Sequence, residues 1–237
     1  MNAPSAASAR ATEPLEERIR RVSPLRQIES HEWSEPAWPS SERLLDAAEA
    51  EVALARGRLI YERFLRSGPD GYPAAGADGR PALPLFRRAV ELFRRSGNPA
   101  GEREALFWVG TLEQVLNRDY SAASLALEES RELAEAAKDD LVLSCVERHL
   151  GFIAFLEGMY AEAETHLEES VRLRRSMEFA PGVAMGIVAL AELQLERHEV
   201  DRARRLLDEA AAVAERAGAQ GATRAVERAR QQAAATR

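Results

Sequence analysis

Four histidines, a single cysteine and a single lysine are the residues of this chain best suited to chemistry, and their spacing decides whether they do any. His31 opens the run HEWSE, which lacks the second histidine, one helical turn on, of a zinc-protease helix. His149 and His166 fall on successive helical segments and His198 lies apart, so no metal site is assigned. Cys145, inside a helical pattern, reads as a small buried residue rather than a nucleophile. A phosphate-binding loop needs lysine directly after glycine, and Lys138 follows Ala137. Schiff-base and SxxK mechanisms have no second lysine to draw on, and no GxSxG elbow is present. The acidic pairs Glu128–Glu129 and Glu168–Glu169 come with Arg131 and Arg172 nearby, which marks solvated, partly paired helix faces. No catalytic residue, cofactor or metal is assigned, and a binding role is favoured over an enzymatic one.

The bulk composition agrees. Of 237 residues, 46% are hydrophobic, enough for a sizeable core, but only 6% are aromatic. Alanine and leucine dominate, which favours helix over sheet. A net charge of −7 gives no general case for binding nucleic acid or anionic membranes. A lone cysteine suits a reducing compartment, and the N-terminus lacks the apolar core of a secretion signal. No apolar run is long enough to span a membrane. The expected setting is the cytoplasm, and the near-total use of arginine for basic positions suggests a bacterial source.

The elements that would position these residues are helices. Residues 1–40 read as a flexible or extended segment, with Pro14 opening a short helix over 14–22 and two Trp and three Pro in 24–40. Ser40 or Ser41 caps a helix over 42–66 whose apolar face would carry Leu45, Ala48, Val52, Ala55, Leu59, the Tyr61 or Glu62 side, and Leu65. Residues 67–81 hold four Gly and three Pro and read as an inserted loop. A helix over 82–96 stops at Gly97, and Asn98–Pro99 restarts the chain. Helices are then expected at about 100–117, 120–137, 140–157, 160–177, 181–197, 200–217 and 220–234. The short loops between them force antiparallel neighbours.

These helices repeat. Tyr120, Tyr160 and Val200 share one register; so do Ala123, Ala163 and Ala203; Leu127, Leu167 and Leu207; and Ser130, Ser170 and Ala210. Gly110, Gly151 and Ala191 correspond in the preceding helices. A small residue on each helix of a pair permits close approach, and Leu150, Tyr160 and Leu167 would fill the surrounding space. The unit Leu150–Gly151, Ala154, Gly158, Tyr160, Ala163, Leu167 and Ser170 resembles the tetratricopeptide repeat family, over about residues 42–217. The spacing is nearer 40 residues than the family's usual period of about 34, as in long-period versions found in bacterial regulators. The resemblance implies an all-α fold, an α-solenoid of stacked antiparallel helix pairs in a right-handed superhelix. The repeats would occupy 41–217 and a capping helix and basic tail 218–237.

In that family the first helix of each pair lines a concave groove. The matching positions are Glu104, Phe107, Thr111 and Gln114; then Cys145, Arg148, Phe152 and Phe155; then Met185, Val188 and Glu192. The implied function is a scaffold that holds a protein or peptide segment, with the phenylalanines as anchors and Arg148 open to an acidic group. The family's carboxylate clamp needs a groove lysine, whereas Lys138 sits at a helix end. Three alternatives stay open. Leu25, Trp33 and Trp38 could fill the groove from within the chain. A pocket closed by the N-terminal segment could serve a small-molecule sensor or an unusual enzyme. Apolar surface at one end of the stack could form a homo-oligomer.

Overall fold

The computed structural model describes residues 38–68 and 73–235. The described residues form nine α-helices and no strand. These are α1 (Trp38–Leu65), α2 (Leu83–Ser96), α3 (Pro99–Leu112), α4 (Tyr120–Ala137), α5 (Asp140–Leu156), α6 (Tyr160–Ser176), α7 (Ala180–Glu196), α8 (Val200–Arg216) and α9 (Gln220–Ala235). A short 3-10 turn, Arg80–Ala82, precedes α2, and a π-turn, Glu113–Asn117, follows α3. The described residues divide into two compact units, one up to residue 105 and the other from residue 106 on. The expected helix over 14–22 and the aromatic stretch up to residue 37 lie outside the described residues.

In the first unit α1 packs along α2. The buried face of α1 keeps Ala48 and Tyr61 of the expected one but is otherwise rotated away from it. Ala47, Ala50, Leu54, Gly57 and Tyr61 are covered, while Leu45, Val52 and Leu59 stay 40–49% exposed. The reason lies on α2, whose Phe86 and Phe93 are fully buried. A Cβ on Gly57 would stand 2.6 Å from the Phe86 ring, so that ring selects a face with room for it rather than the greasiest one. α1 also starts at Trp38, which puts Ser40 and Ser41 inside its first turn. Asn98 caps α3 as expected, its Oδ1 accepting from the Gly101 N–H at 3.1 Å.

In the second unit consecutive helices pack in sequence: α4 on α5, α5 on α6, α6 on α7, α7 on α8 and α8 on α9, with α7 also touching α9. The repeated positions are the interior. Ala123, Ala163, Ala203, Leu127, Leu167, Leu207, Ser130, Ser170 and Ala210 are all buried. A Cβ on Gly110 would meet Leu127 Cγ at 2.6 Å, and one on Gly151 would meet Leu167 Cγ at 2.9 Å. Leu127 and Leu167 therefore each seat directly on a glycine of the preceding helix. Leu150 is buried as expected, but Tyr160 sits at the rim, 37% exposed, with its ring 6.1 Å from that of Phe155.

The junctions are more regular than the core. Arg118, Lys138, Gly158, Glu178, His198 and Gly218 recur every 20 residues, and all six have left-handed backbone, with φ between 54° and 78°. After α4, α5, α6, α7 and α8 the chain closes the same way. The left-handed N–H bonds a carbonyl three residues back and the next N–H one five back, as in Gly158 to Phe155 and Met159 to Ala154. Asp119 and Asp139 then cap α4 and α5 through their side chains, bonding the Ala122 and Val142 N–H groups.

Candidate functional site

The helices α5 and α7, with the Phe107–Gln114 stretch at the end of α3, carry most of the residues singled out from the sequence. Glu104 is the exception. It belongs to the first unit, where it pairs with Arg58 at 2.9 Å. The rest lie in the second unit. Phe107, Phe152, Phe155, Met185 and Glu192 are partly buried, and Thr111, Gln114 and Val188 are buried. Helical spacing puts Cys145, Arg148, Phe152 and Phe155 along one face of α5, and Met185, Val188 and Glu192 along one face of α7.

Gln114 and His149 tie α5 to the turn that follows α3. His149 Nδ1 lies 2.5 Å from Gln114 Oε1, and Gln114 Nε2 donates to the His149 carbonyl at 3.1 Å. The amide oxygen can only accept, so Nδ1 carries the proton in a neutral ring. The Phe107 ring stands edge-on to His149 at 5.5 Å. Burial, helped by the cations Arg148 and Arg174, pushes the His149 pKa down to about 3. His166 belongs to a different network, with its Nδ1 2.6 Å from Glu147 Oε2. The carboxylate raises its pKa against the opposing effect of burial. With their nitrogens committed separately, the two histidines form no metal site. No cluster of three potential ligands exists among the described residues.

Arg148 lies over Phe152, its Cζ 4.8 Å from the ring centroid, a cation–π contact. Its Nε is buried without a hydrogen-bond partner. Burial and the neighbouring Arg174 lower its pKa to about 10, with Cys145 and Glu192 acting the other way. Glu192 is the nearby acid. Burial pushes its carboxyl up, while Arg148 and Arg228 pull it down. No salt bridge joins Arg148 to any described residue. Thr111 is buried too, and its hydroxyl has no partner.

Arg174 was not foreseen. It leaves the last turn of α6, is 5% exposed, and donates to the Gly182 carbonyl at 3.1 Å and the Ser144 carbonyl at 3.4 Å. The signal for it is present in the repeat. The equivalent residues 40 positions away are Ala134 and Ala214, both buried. Where those helices bury a methyl group, α6 buries a guanidinium.

Two clefts of the second unit lie elsewhere. One of about 340 Å³ is lined by Val171, Ile187, Leu190 and Leu206, with Arg175 and Glu209 ion-paired beside it. Another of about 300 Å³ lies between Arg204 on α8 and Arg230 on α9. The N-terminal residues expected to cover the groove, Leu25 and Trp33, lie outside the described residues, and Trp38 begins α1 in the first unit. No helix among the described residues is long and apolar enough to cross a membrane. No protein-family model matches the chain, and no curated protein is significantly similar to it.

Proposed function

We propose that the second unit is a binding scaffold of the tetratricopeptide type, which holds a protein or peptide segment against the face formed by the end of α3, α5 and α7. One observation carries this reading. That face presents partly exposed Phe107, Phe152, Phe155 and Met185 beside Arg148 and Glu192, neither of which forms a salt bridge with a described residue. A surface serving only to meet water has no use for this pairing of apolar rings with desolvated charge. The phenylalanines supply the area that anchors a segment, and the flanking charges select its register. The solenoid geometry and the regulatory role implied by long-period repeats belong to the same proposal.

The test is capture from the native host with wild type and with Phe152→Ala/Phe155→Ala, both checked for helical content. Loss of a specific partner set with the fold retained supports the reading. Identical partner sets remove this face from it.

A further inference from the structure

We infer that Arg148 and Arg174 form a cationic well that takes a single carboxylate of the bound ligand, an inference that rests on the face proposed above. The two side chains reach the same place from different helices. Arg174 comes from α6 and lays Nη2 against the Ser144 carbonyl of α5 and Nη1 against the Gly182 carbonyl of α7. Arg148 stands one turn after Ser144 on α5. The Arg174 guanidinium is thus wedged in the seam between α5 and α7, within one turn of Arg148. The Nε atoms of both arginines are buried and unpartnered.

The fold makes room for this cation at a cost. Arg174 stands at the register position filled by Ala134 and Ala214. Opposite it, Gly182 and Gly186 stand where α5 has Val142 and Val146 and α9 has Ala222 and Val226. A Cβ on Gly182 would crowd the Phe179 ring at 2.5 Å and Arg174 Cδ at 3.0 Å, while one on Gly186 would crowd Val171 at 2.5 Å and only touch Arg174 Nη1 at 3.8 Å. The methyl group of one helix has become a guanidinium, and the valines of the next have become glycines. A buried arginine that meets only carbonyls leaves its charge unneutralised, which is costly in an apolar interior. A second arginine beside it adds repulsion.

Charge sets the ligand class. Arg148 and Arg174 carry two positive charges, and Glu192, when ionised, supplies one negative charge nearby. At least one negative charge is missing, since Arg228 also draws on Glu192. A carboxylate meets that minimum deficit and accepts from guanidinium donors, and Glu192 repels a dianionic phosphate more strongly than a monoanion. Phe152 under Arg148 and Phe155 one turn on place apolar surface next to the well. The matching ligand is therefore a carboxylate flanked by apolar groups, as in an acidic side chain within an apolar segment.

The test is NMR of the full chain, following the arginine Nε–H signals assigned with Arg148→Gln and Arg174→Ala. Sodium acetate, methyl phosphate and the capped peptide acetyl-Leu-Glu-Leu-amide are titrated against sodium chloride at constant ionic strength. Acetate is expected to shift both signals saturably and chloride is not, with Arg148→Gln weakening acetate binding about tenfold. The peptide binds more tightly than acetate, and Phe152→Ala removes only that gain. No saturable acetate shift, an equal shift in chloride, or a preference for methyl phosphate overturns the assignment. Should the peptide bind through Phe152 while both arginine signals stay still, the well fails and the groove stands. Should acetate bind while the peptide gains nothing, the well stands and the groove reading fails.

Discussion

The second unit has two kinds of helix face, and they treat charge in opposite ways. Along α4, α6 and α8 Arg131, Arg172, Arg175, Arg202 and Arg204 meet carboxylates. Arg131 pairs with Glu128 at 2.5 Å, Arg172 with Glu169 at 2.6 Å and Arg175 with Glu209 at 2.6 Å. Glu164 is shared between Arg197 at 2.7 Å and Arg202 at 2.5 Å. On the face of α5 and α7, Arg148 meets a phenyl ring, and the Arg174 wedged behind it meets two carbonyls. The histidines divide in the same way, His166 against Glu147 and His149 against an amide with two cations nearby. Solvated charges with a neighbour three residues away need little from the fold. Desolvated charges without one have to be held in place by it, and a molecule that keeps them has them available for a ligand.

The largest effect comes from the seam that both faces share. Leu167 is 1% exposed and seats on Gly151, so Leu167→Ala should destabilise the second unit by about 2–5 kcal/mol in urea unfolding. Leu125, 71% exposed, is the control, and its alanine variant should change stability by less than about 0.5 kcal/mol. A small loss at Leu167 would mean that the faces are held by something other than these glycine–leucine contacts.

The next effect separates the faces by pH. His149 titrates near pH 3 in the folded chain and near 6.5 when unfolded, so between those values the unfolded state binds more protons. Its contribution is complete above about pH 6.5 and is lost as pH falls, with a slope approaching about 1.4 kcal/mol per pH unit. His149→Asn keeps an N–H donor for Gln114 but cannot titrate. Urea midpoints measured from pH 7 to 4 should therefore fall more steeply for wild type than for His149→Asn. Parallel curves would show that His149 is not held neutral.

Removing single charges should then give opposite signs. Glu164→Ala strips the shared carboxylate from Arg197, Arg202 and Gln194 and should cost about 1–2 kcal/mol. Arg148→Met keeps apolar contact with Phe152 and removes a desolvated charge, so stability should stay level or rise by about 1 kcal/mol. A clear loss in Arg148→Met would mean that its charge is already compensated within the chain.

What was legible in the sequence follows from how each feature is encoded. Helix positions were, because the repeat fixes them and because alanine and leucine recur where helices touch. α4 begins and ends as expected, and α5, α6, α7 and α8 differ by one residue at most at either end. The turns at Gly158 and Gly218 announce themselves, whereas Arg118, Lys138, Glu178 and His198 adopt the same left-handed backbone under residue types that normally avoid it. The face of α1 was legible only at Ala48 and Tyr61, because periodicity scores greasiness while its partner Phe86 needed room. On the candidate face, Phe107, Phe152 and Arg148 are reached by carrying over the groove positions that the repeat resemblance implies. Arg174 is not, because it reaches that face from the other helix of its pair. Only comparing position 174 with 134 and 214, and 182 and 186 with 142 and 146, brings it out.

The smallest effect is the counterpart of His149. Glu147 raises the His166 pKa above its unfolded value, so His166 contributes fully below about pH 6.5 and its contribution is lost as pH rises through the folded value. Wild type should therefore lose a little stability on the alkaline side of neutrality, and His166→Gln should not. Partial exposure and the nearby Arg131 keep the effect below that of His149. Glu147→Gln separates pairing from burial. With the carboxylate gone, burial and Arg131 dominate, the His166 pKa drops below its unfolded value, and the pH dependence reverses to resemble that of His149. An unchanged alkaline limb in Glu147→Gln would place its cause outside this pair and remove the histidines from the contrast between the two faces.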